Sequence, residues 1–374
     1  MISNSQEQQD VKWMRRAIEL ARLSEGYTRP NPPVGAVIVK DGRLIGEGRH
    51  EYAGGDHAEV VAFDSCTESA AGATLYVTLE PCSTHGRTPP CTERIIREGV
   101  SRVVVGALDR NLRHNGRGLA ILEKHGIATL SGICDADAQE LVAPFFKHLR
   151  TTLPYLTLKL ALTLDGCIAD RNNLSRWITG AEARAEVQRM RRRADAVMVG
   201  SQTALHDNPS LLCRIEGGDN LMRVIVDSKG LLPPNSKVLS DATAERTIIF
   251  TSVNTPLAVI DGWSANGSCV ELLKPLDNGH LDVNEILCCL GKMNLMHVLC
   301  EGGGGLAATL HKANLIDEYV LFYAPLILAD TAARRGFAWD NTALLNDAER
   351  LVLRDAKIFG EDVRIRYHRN NADQ

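Results

Sequence analysis

A chain of 374 residues exceeds one ordinary hydrophobic core and implies about two domains of ~150–200 residues. With 44% apolar and 24% charged residues it reads as a soluble globular protein, and a net charge of -4 excludes a general attraction to nucleic acid or anionic membrane. The polar start MISNSQEQQD lacks the apolar centre of a secretory signal, no apolar run approaches the ~18–20 residues of a membrane span, and the ten cysteines suit buried thiols, which together point to the cytoplasm.

Val11, Met14, Ile18 and Ala21 recur at helical spacing, and VGAVIV and RLIGEG flank Asp41-Gly42 as a hairpin. A helix starts near His57. ATLYVTL reads as a buried strand, TERIIREG as a helix ending at Gly99, and SRVVVGAL as a second buried strand, the order of a sheet with crossover helices. The pattern restarts around Leu149 to Pro154, which sets the expected domains at 1–149 and 150–374. In the second, GAEARAEVQRMRRRA is a helix, DAVMVGS, LMRVIVDS and ERTIIFTS are strands, and HVLCEGGGGLAATLHKANL is strand, glycine turn and helix. The fold class is α/β throughout, with no internal repeat.

Cys82 and Cys91 each follow a proline, and DHAEV places His57 and Glu59 two positions apart at a helix start. A catalytic zinc takes three protein ligands and leaves a position for water, a set that His57, Cys82 and Cys91 would supply, with Glu59 as the proton shuttle. Alone, each fragment fits a satisfied histidine or a core thiol. The order HxE, strand, Pro-Cys and second Cys is that of zinc nucleobase deaminases, here with a longer interval between the cysteines.

The stretches RPNPPVGAVIVKDG, GEGRHEYAGGDHAEV, ATLYVTLEPCSTHGRTPPC and GRGL resemble the bifunctional riboflavin biosynthesis deaminase-reductases, the RibD family, and the resemblance runs from about Asp10 to about Tyr367. It implies a cytidine-deaminase-like zinc domain that deaminates 2,5-diamino-6-(5-phosphoribosylamino)pyrimidin-4-one, with Glu59 moving the protons. Asn31, His50, Asp109 and Asn111 match positions near the bound base. The family's Asp-Pro-Asn-Pro turn is replaced here by LDRNLRHNGRG, which keeps Asp109 and Asn111 without the prolines.

The second half has no GxGxxG after a strand, so the usual dinucleotide fingerprint is absent. EGGGGLAATL would let backbone amides approach a phosphate at a helix start, or would make a tight connection. KLALTLDGCIA, SRWITG, MRRRADAVMVGSQTALHDNPSLLCR, RVIVDS and CEGGGGLAATLHKANLIDE resemble the reductase domain of the same family, which implies a dihydrofolate-reductase-like fold, NADPH, and reduction of the ribosyl group to ribityl. On matching positions Ala161, Trp177, Thr203, Asp207, Ser228, Gly303, Gly304 and Gly305 would line the cofactor. Ser175, Arg191, Leu211, Arg214 and Glu301 would line the substrate, with Arg191 and Arg214 holding its phosphate and Lys159 a further candidate. By themselves Trp177 also suits a core and the arginine run 189–193 a solvated helix face. The family's LADDP reads LHDNP here, and its LTxR reads LLCR.

The resemblance also implies a homo-oligomer acting on a pyrimidine ribosyl phosphate. The alternative is a monofunctional zinc deaminase with a non-catalytic second half; a ligand-binding protein without catalysis has no need of a water-activating set.

Overall fold

The computed structural model describes residues 4–85, 89–110, 115–216, 221–338 and 344–369. Two compact units emerge, Met1–Thr151 and Thr152–Gln374. This break lies just past the sequence-based one at 149/150, because the last helix of the first unit continues through Leu149.

The first unit runs α1 (Asn4–Leu23), β1 (Gly35–Lys40), β2 (Arg43–Arg49), α2 (Ala58–Asp64), β3 (Thr74–Leu79), α3 (Cys91–Glu98), β4 (Arg102–Ala107), α4 (Arg117–Lys124), β5 (Ala128–Ser131) and α5 (Asp135–Thr151). The strands form one sheet in the order β2-β1-β3-β4-β5. β1 is antiparallel to β2 and β3, and β3, β4 and β5 are parallel. Alternation along each strand feeds two cores. Ala36, Ile38, Leu75, Val77, Val103 and Val105 pack with residues of α2, α3 and α4, while Val37, Val39, Tyr76 and Val104 pack with α1 and α5. Buried Asp10 pins α1 to the sheet, its carboxylate accepting two bonds from Arg102 at 2.7 Å and one from the Tyr76 hydroxyl at 2.9 Å. Burial opposes that charge, but Arg102 and Tyr76 outweigh it and hold the carboxyl below its ordinary range.

The strand directions decide where function collects. The segment before β1 and the segments after β2, β3 and β4 all emerge at one edge of the sheet, so Asn31, His50, Cys82 and Asp109 share that edge although 78 positions separate the first from the last. The hairpin turn Asp41-Gly42, with φ of 49° and 74°, lies at the opposite edge.

The second unit runs β6 (Tyr155–Thr163), β7 (Cys167–Ala169), α6 (Ala181–Arg193), β8 (Ala196–Gly200), α7 (Ser201–Asp207), β9 (Met222–Val226), α8 (Lys237–Ser240), β10 (Thr247–Ser252), α9 (Leu257–Ser264), β11 (Cys269–Leu273), α10 (Val283–Lys292), β12 (His297–Cys300), α11 (Gly304–Lys312), β13 (Glu318–Ala324), β14 (Arg334–Arg335), β15 (Leu351–Phe359) and β16 (Asp362–Arg369). Its sheet has the order β11-β10-β9-β8-β12-β6-β13-β16-β15, parallel through β13 and then antiparallel. β7 and β14 form a separate pair. In the parallel part the carboxyl ends of β6, β8, β9 and β12 share one edge, the usual ligand side of such a sheet.

Candidate active sites

Close packing without side chains positions the first site. A Cβ on Gly48 would stand 2.4 Å from the Ala62 nitrogen and 2.6 Å from the Ala58 oxygen, so glycine in β2 lets α2 lie directly against the strand. That contact fixes the start of α2, where His57 is the N-cap and Glu59 occupies the first turn. Cys91 opens α3 behind Pro90, and Cys82 lies just after β3. The Cys91 amide donates to the Cys82 sulfur at 3.2 Å, drawing the two segments together.

Both cysteines are free thiols, not joined in a disulfide. His57 Nδ1 is 3.1 Å from Cys91 Sγ and 3.6 Å from Cys82 Sγ, and one ligand atom from each of the three residues falls within 4.8 Å of the others. This nitrogen and two sulfurs suit a single ion held at about 2.0–2.3 Å from each. The donor set fits zinc.

The groups set one another's protonation. Hydrogen bonding to Cys82 lifts the His57 imidazole to about 9. The paired thiols split, Cys82 falling because Cys91 donates to it and Cys91 rising for the same reason. Burial pushes the Glu59 carboxyl up, with the charge on Cys82 adding to it. A metal displacing these shared protons would find its ligands already half prepared.

Buried His50 sits beside His57, with ring centroids 5.8 Å apart. Its Nδ1 must donate to the Asp56 carbonyl at 2.9 Å, so in the neutral ring Nε2 accepts from the Asn31 amide at 3.0 Å. Burial lowers the His50 pKa and keeps that neutral form. Asn31 is thereby oriented by its amide against His50. Asp109 follows β4 at the same edge, and its backbone amide donates to Glu80. Asn111 lies outside the described residues.

In the second unit the candidates are strung along the carboxyl edge. Ala161 shares a face of β6 with Lys159, Thr203 and Asp207 ride on α7, Ser228 follows β9, and Glu301 with Gly303, Gly304 and Gly305 follows β12. The Ser175 hydroxyl donates to Asp207 at 2.8 Å, so a substrate candidate and a cofactor candidate touch. Trp177 is 65% exposed, which rules out the core reading, and the Arg184 guanidinium lies 4.5 Å from its ring centroid.

The glycine turn divides by role. A Cβ on Gly304 would stand 2.3 Å from the Arg335 carbonyl, so this glycine is needed for packing, whereas a Cβ on Gly305 would meet nothing within 4 Å. Gly303 is the N-cap of α11, and its Cβ would approach Thr203 Oγ1 at 3.1 Å. This open helix start beside Thr203 suits a phosphate of NADPH.

Two substrate candidates are packed into the fold. Arg191 is not on a solvated face: it is buried and donates to both Glu301 oxygens at 2.6 and 3.1 Å and to the Leu212 carbonyl at 2.9 Å. Exposed Arg214 is the more available cation. Leu211 buries its side chain in the core, at φ 53°, and offers only backbone to a ligand. Burial disfavours the Glu301 charge, yet Arg191 and Lys159 outweigh it and lower that pKa; burial depresses Lys159 in turn. Asn208 in place of an acid ends α7 at φ 38°, a conformation asparagine tolerates, and its side-chain oxygen accepts from the Lys237 amide.

Sequence reasoning missed two buried carboxylates bonded to backbone amides, Glu80 in the first unit and Asp227 in the second. The available signal was an acid set between an apolar strand and a turn.

Fold and site together define an enzyme with a zinc-type nucleobase deaminase centre and a second α/β unit arranged to hold a cofactor along its sheet edge. Residues 7–107 match the cytidine and deoxycytidylate deaminase zinc-binding region, and residues 154–363 match the RibD C-terminal domain. Riboflavin biosynthesis protein RibD of Aquifex aeolicus is 39% identical over 363 residues, covering 96% of this chain and 98% of the relative. Acinetobacter baumannii RibD superposes with a TM-score of 0.81 at 38% identity, over 97% of this chain and 99% of that one. A Thermotoga maritima diaminohydroxyphosphoribosylaminopyrimidine deaminase/5-amino-6-(5-phosphoribosylamino)uracil reductase gives 0.84 at 35%, with the same coverage. The chain belongs to the RibD family.

Proposed function

We infer that the chain catalyses two consecutive reactions of riboflavin biosynthesis. The first is hydrolytic deamination of 2,5-diamino-6-(5-phosphoribosylamino)pyrimidin-4-one. The second is NADPH-dependent reduction of the ribosyl group to ribityl, giving 5-amino-6-(5-phosphoribitylamino)uracil. The observation that carries this reading is the convergence of His57, Cys82 and Cys91 beside buried Glu59, in one chain with a RibD C-terminal domain.

His57, Cys82 and Cys91 would hold Zn2+, which when bound would supply Lewis acidity that lowers the pKa of a water. Glu59 takes a proton from the attacking water as the water's oxygen bonds to the ring carbon, and returns one to the exocyclic amine, which departs as ammonia. Asn31 and His50 hold the ring, and Asp109 contacts it from the segment after β4; Asn111 remains a candidate by sequence position alone.

NADPH, when bound, supplies the hydride for the sugar C1′. The chain's own residues orient the partners, which is what such a transfer most needs. Gly303, Gly305 and Thr203 seat the cofactor phosphates, and Trp177, Asp207, Ser228 and Ala161 line its length. Lys159, Ser175 and Glu301 contact the sugar, Arg191 fixes Glu301, and Arg214 takes the 5′-phosphate. The reading includes a cytoplasmic homo-oligomer with no nucleic-acid or membrane partner. A net charge of -4 gives no general attraction to nucleic acid, and no helix among the described residues is long and apolar enough to cross a membrane.

The test is one reaction of zinc-loaded protein with the diaminopyrimidine phosphate, following ammonia and NADPH together. Both signals, with NADPH use dependent on prior deamination, are expected. Ammonia without NADPH oxidation would leave a deaminase with a silent second unit.

A further inference from the structure

Glu80 takes no part in the reactions above, yet it is 5% exposed and the described residues place no cation against it. Its partners are three backbone amides. Oε2 accepts from Asp109 at 3.2 Å and from Gly116 at 2.9 Å, and Oε1 accepts from Gly118 at 2.9 Å. These amides come from the end of the β4 segment and from the start of α4, so one carboxylate ties both. Its own amide donates to the Ala107 carbonyl at 3.0 Å, and two residues on stands Cys82. The fit is close: a Cβ on Gly118 would stand 2.4 Å from the Pro81 carbonyl oxygen and 3.2 Å from Glu80 Oε1.

We propose that Glu80 is a positioning residue for deamination, setting the distance between the metal-binding segment and the substrate-contacting loop that carries Asp109. The inference rests on the reading of the first unit as the deaminase. A carboxylate is the side chain suited to this place, because it accepts at both oxygens and donates at neither. Glutamine has the same shape but turns an NH2 group towards one of the three donors, leaving an amide facing an amide. Asparagine or aspartate is too short to reach the start of α4 from the same backbone.

The experiment compares wild type, Glu80→Gln, Asp109→Ala and the double variant in steady-state deamination. Zinc per chain is measured on each, and reduction of already deaminated substrate serves as the control for folding. Glu80→Gln is expected to raise KM about tenfold, with kcat within about threefold. Zinc stays at one per chain, and the double variant is no worse than Asp109→Ala alone. Loss of zinc, a kcat fall at unchanged KM, or multiplying KM effects in the double variant overturns the role. If Glu80→Gln does not fold, Gly118→Ala probes the same spacing and carries the same expected KM rise; a normal KM there counts equally against the proposal. An active wild type with unaffected variants refutes this role alone. A wild type that releases no ammonia removes the deaminase reading and this role with it.

Discussion

The two units share an arrangement and differ in how tightly they use it. Each places its candidate residues at one edge of a sheet, where segments distant in sequence emerge together. In the first unit the chemistry contracts to a point, with three ligands inside 4.8 Å and one buried acid beside them. In the second it spreads along an edge, from Gly303 and Thr203 through Asp207 and Ser175 to exposed Trp177. Breaking a C–N bond by hydrolysis needs protons and charge managed at one atom. Moving a hydride needs two extended molecules held face to face.

The sharpest way to break the comparison is Glu59→Ala, which should cut ammonia release about 10²–10⁴-fold while leaving reduction of pre-deaminated substrate intact. Loss of both activities from folded protein would mean that the sites are not independent. Cys91→Ser comes next. Metal analysis should find clearly less than one zinc per chain, and full occupancy would show that another residue completes the set.

Stability separates the units further. Burial opposes the Glu318 charge, but the His368 ring nitrogen 3.5 Å away and the Arg366 charge hold its carboxyl at about 2, below the ordinary 4.5. A folded pKa below the unfolded one adds stability above about pH 4.5 that is lost as pH falls towards 2. The shift is worth about 3 kcal/mol. Urea unfolding of the second unit should show this acid slope, and Glu318→Gln should flatten it; an unchanged slope would assign it to other carboxylates. The smallest effect is expected from Trp177→Ala, about a tenfold rise in KM for NADPH with deamination unchanged. An unaltered KM would take the exposed ring off the cofactor wall.

Much of this was legible where local pattern and chemistry coincide. The Asp41-Gly42 hairpin, the helix start at His57, the αL stop at Gly99 and the strand–glycine–helix passage after His297 each follow from residue type at a fixed spacing. The antiparallel end of the second sheet was not read. β15 carries charges on both faces, which blurs its alternation, although β16 alternates from Asp362 to His368, and Gly360 at φ 63° marks their turn. The Arg191–Glu301 pair was not read, because an arginine on a helix gives no hint of a partner 110 positions away. Glu80 stayed invisible for a related reason: its partners are backbone groups, which every residue has.

The turns opposite the first site have a practical meaning. Asp41-Gly42, Gly72, Gly99 and Gly126 all lie at the far ends of the strands, and a Cβ on Gly42, Gly72 or Gly126 would meet nothing within 4 Å. One rim of this sheet is therefore committed to chemistry and the other to connectivity. Circular permutation, inserted reporters or immobilisation tags belong on the second rim, where the chain can be recut while the pieces that meet around His57 keep their places.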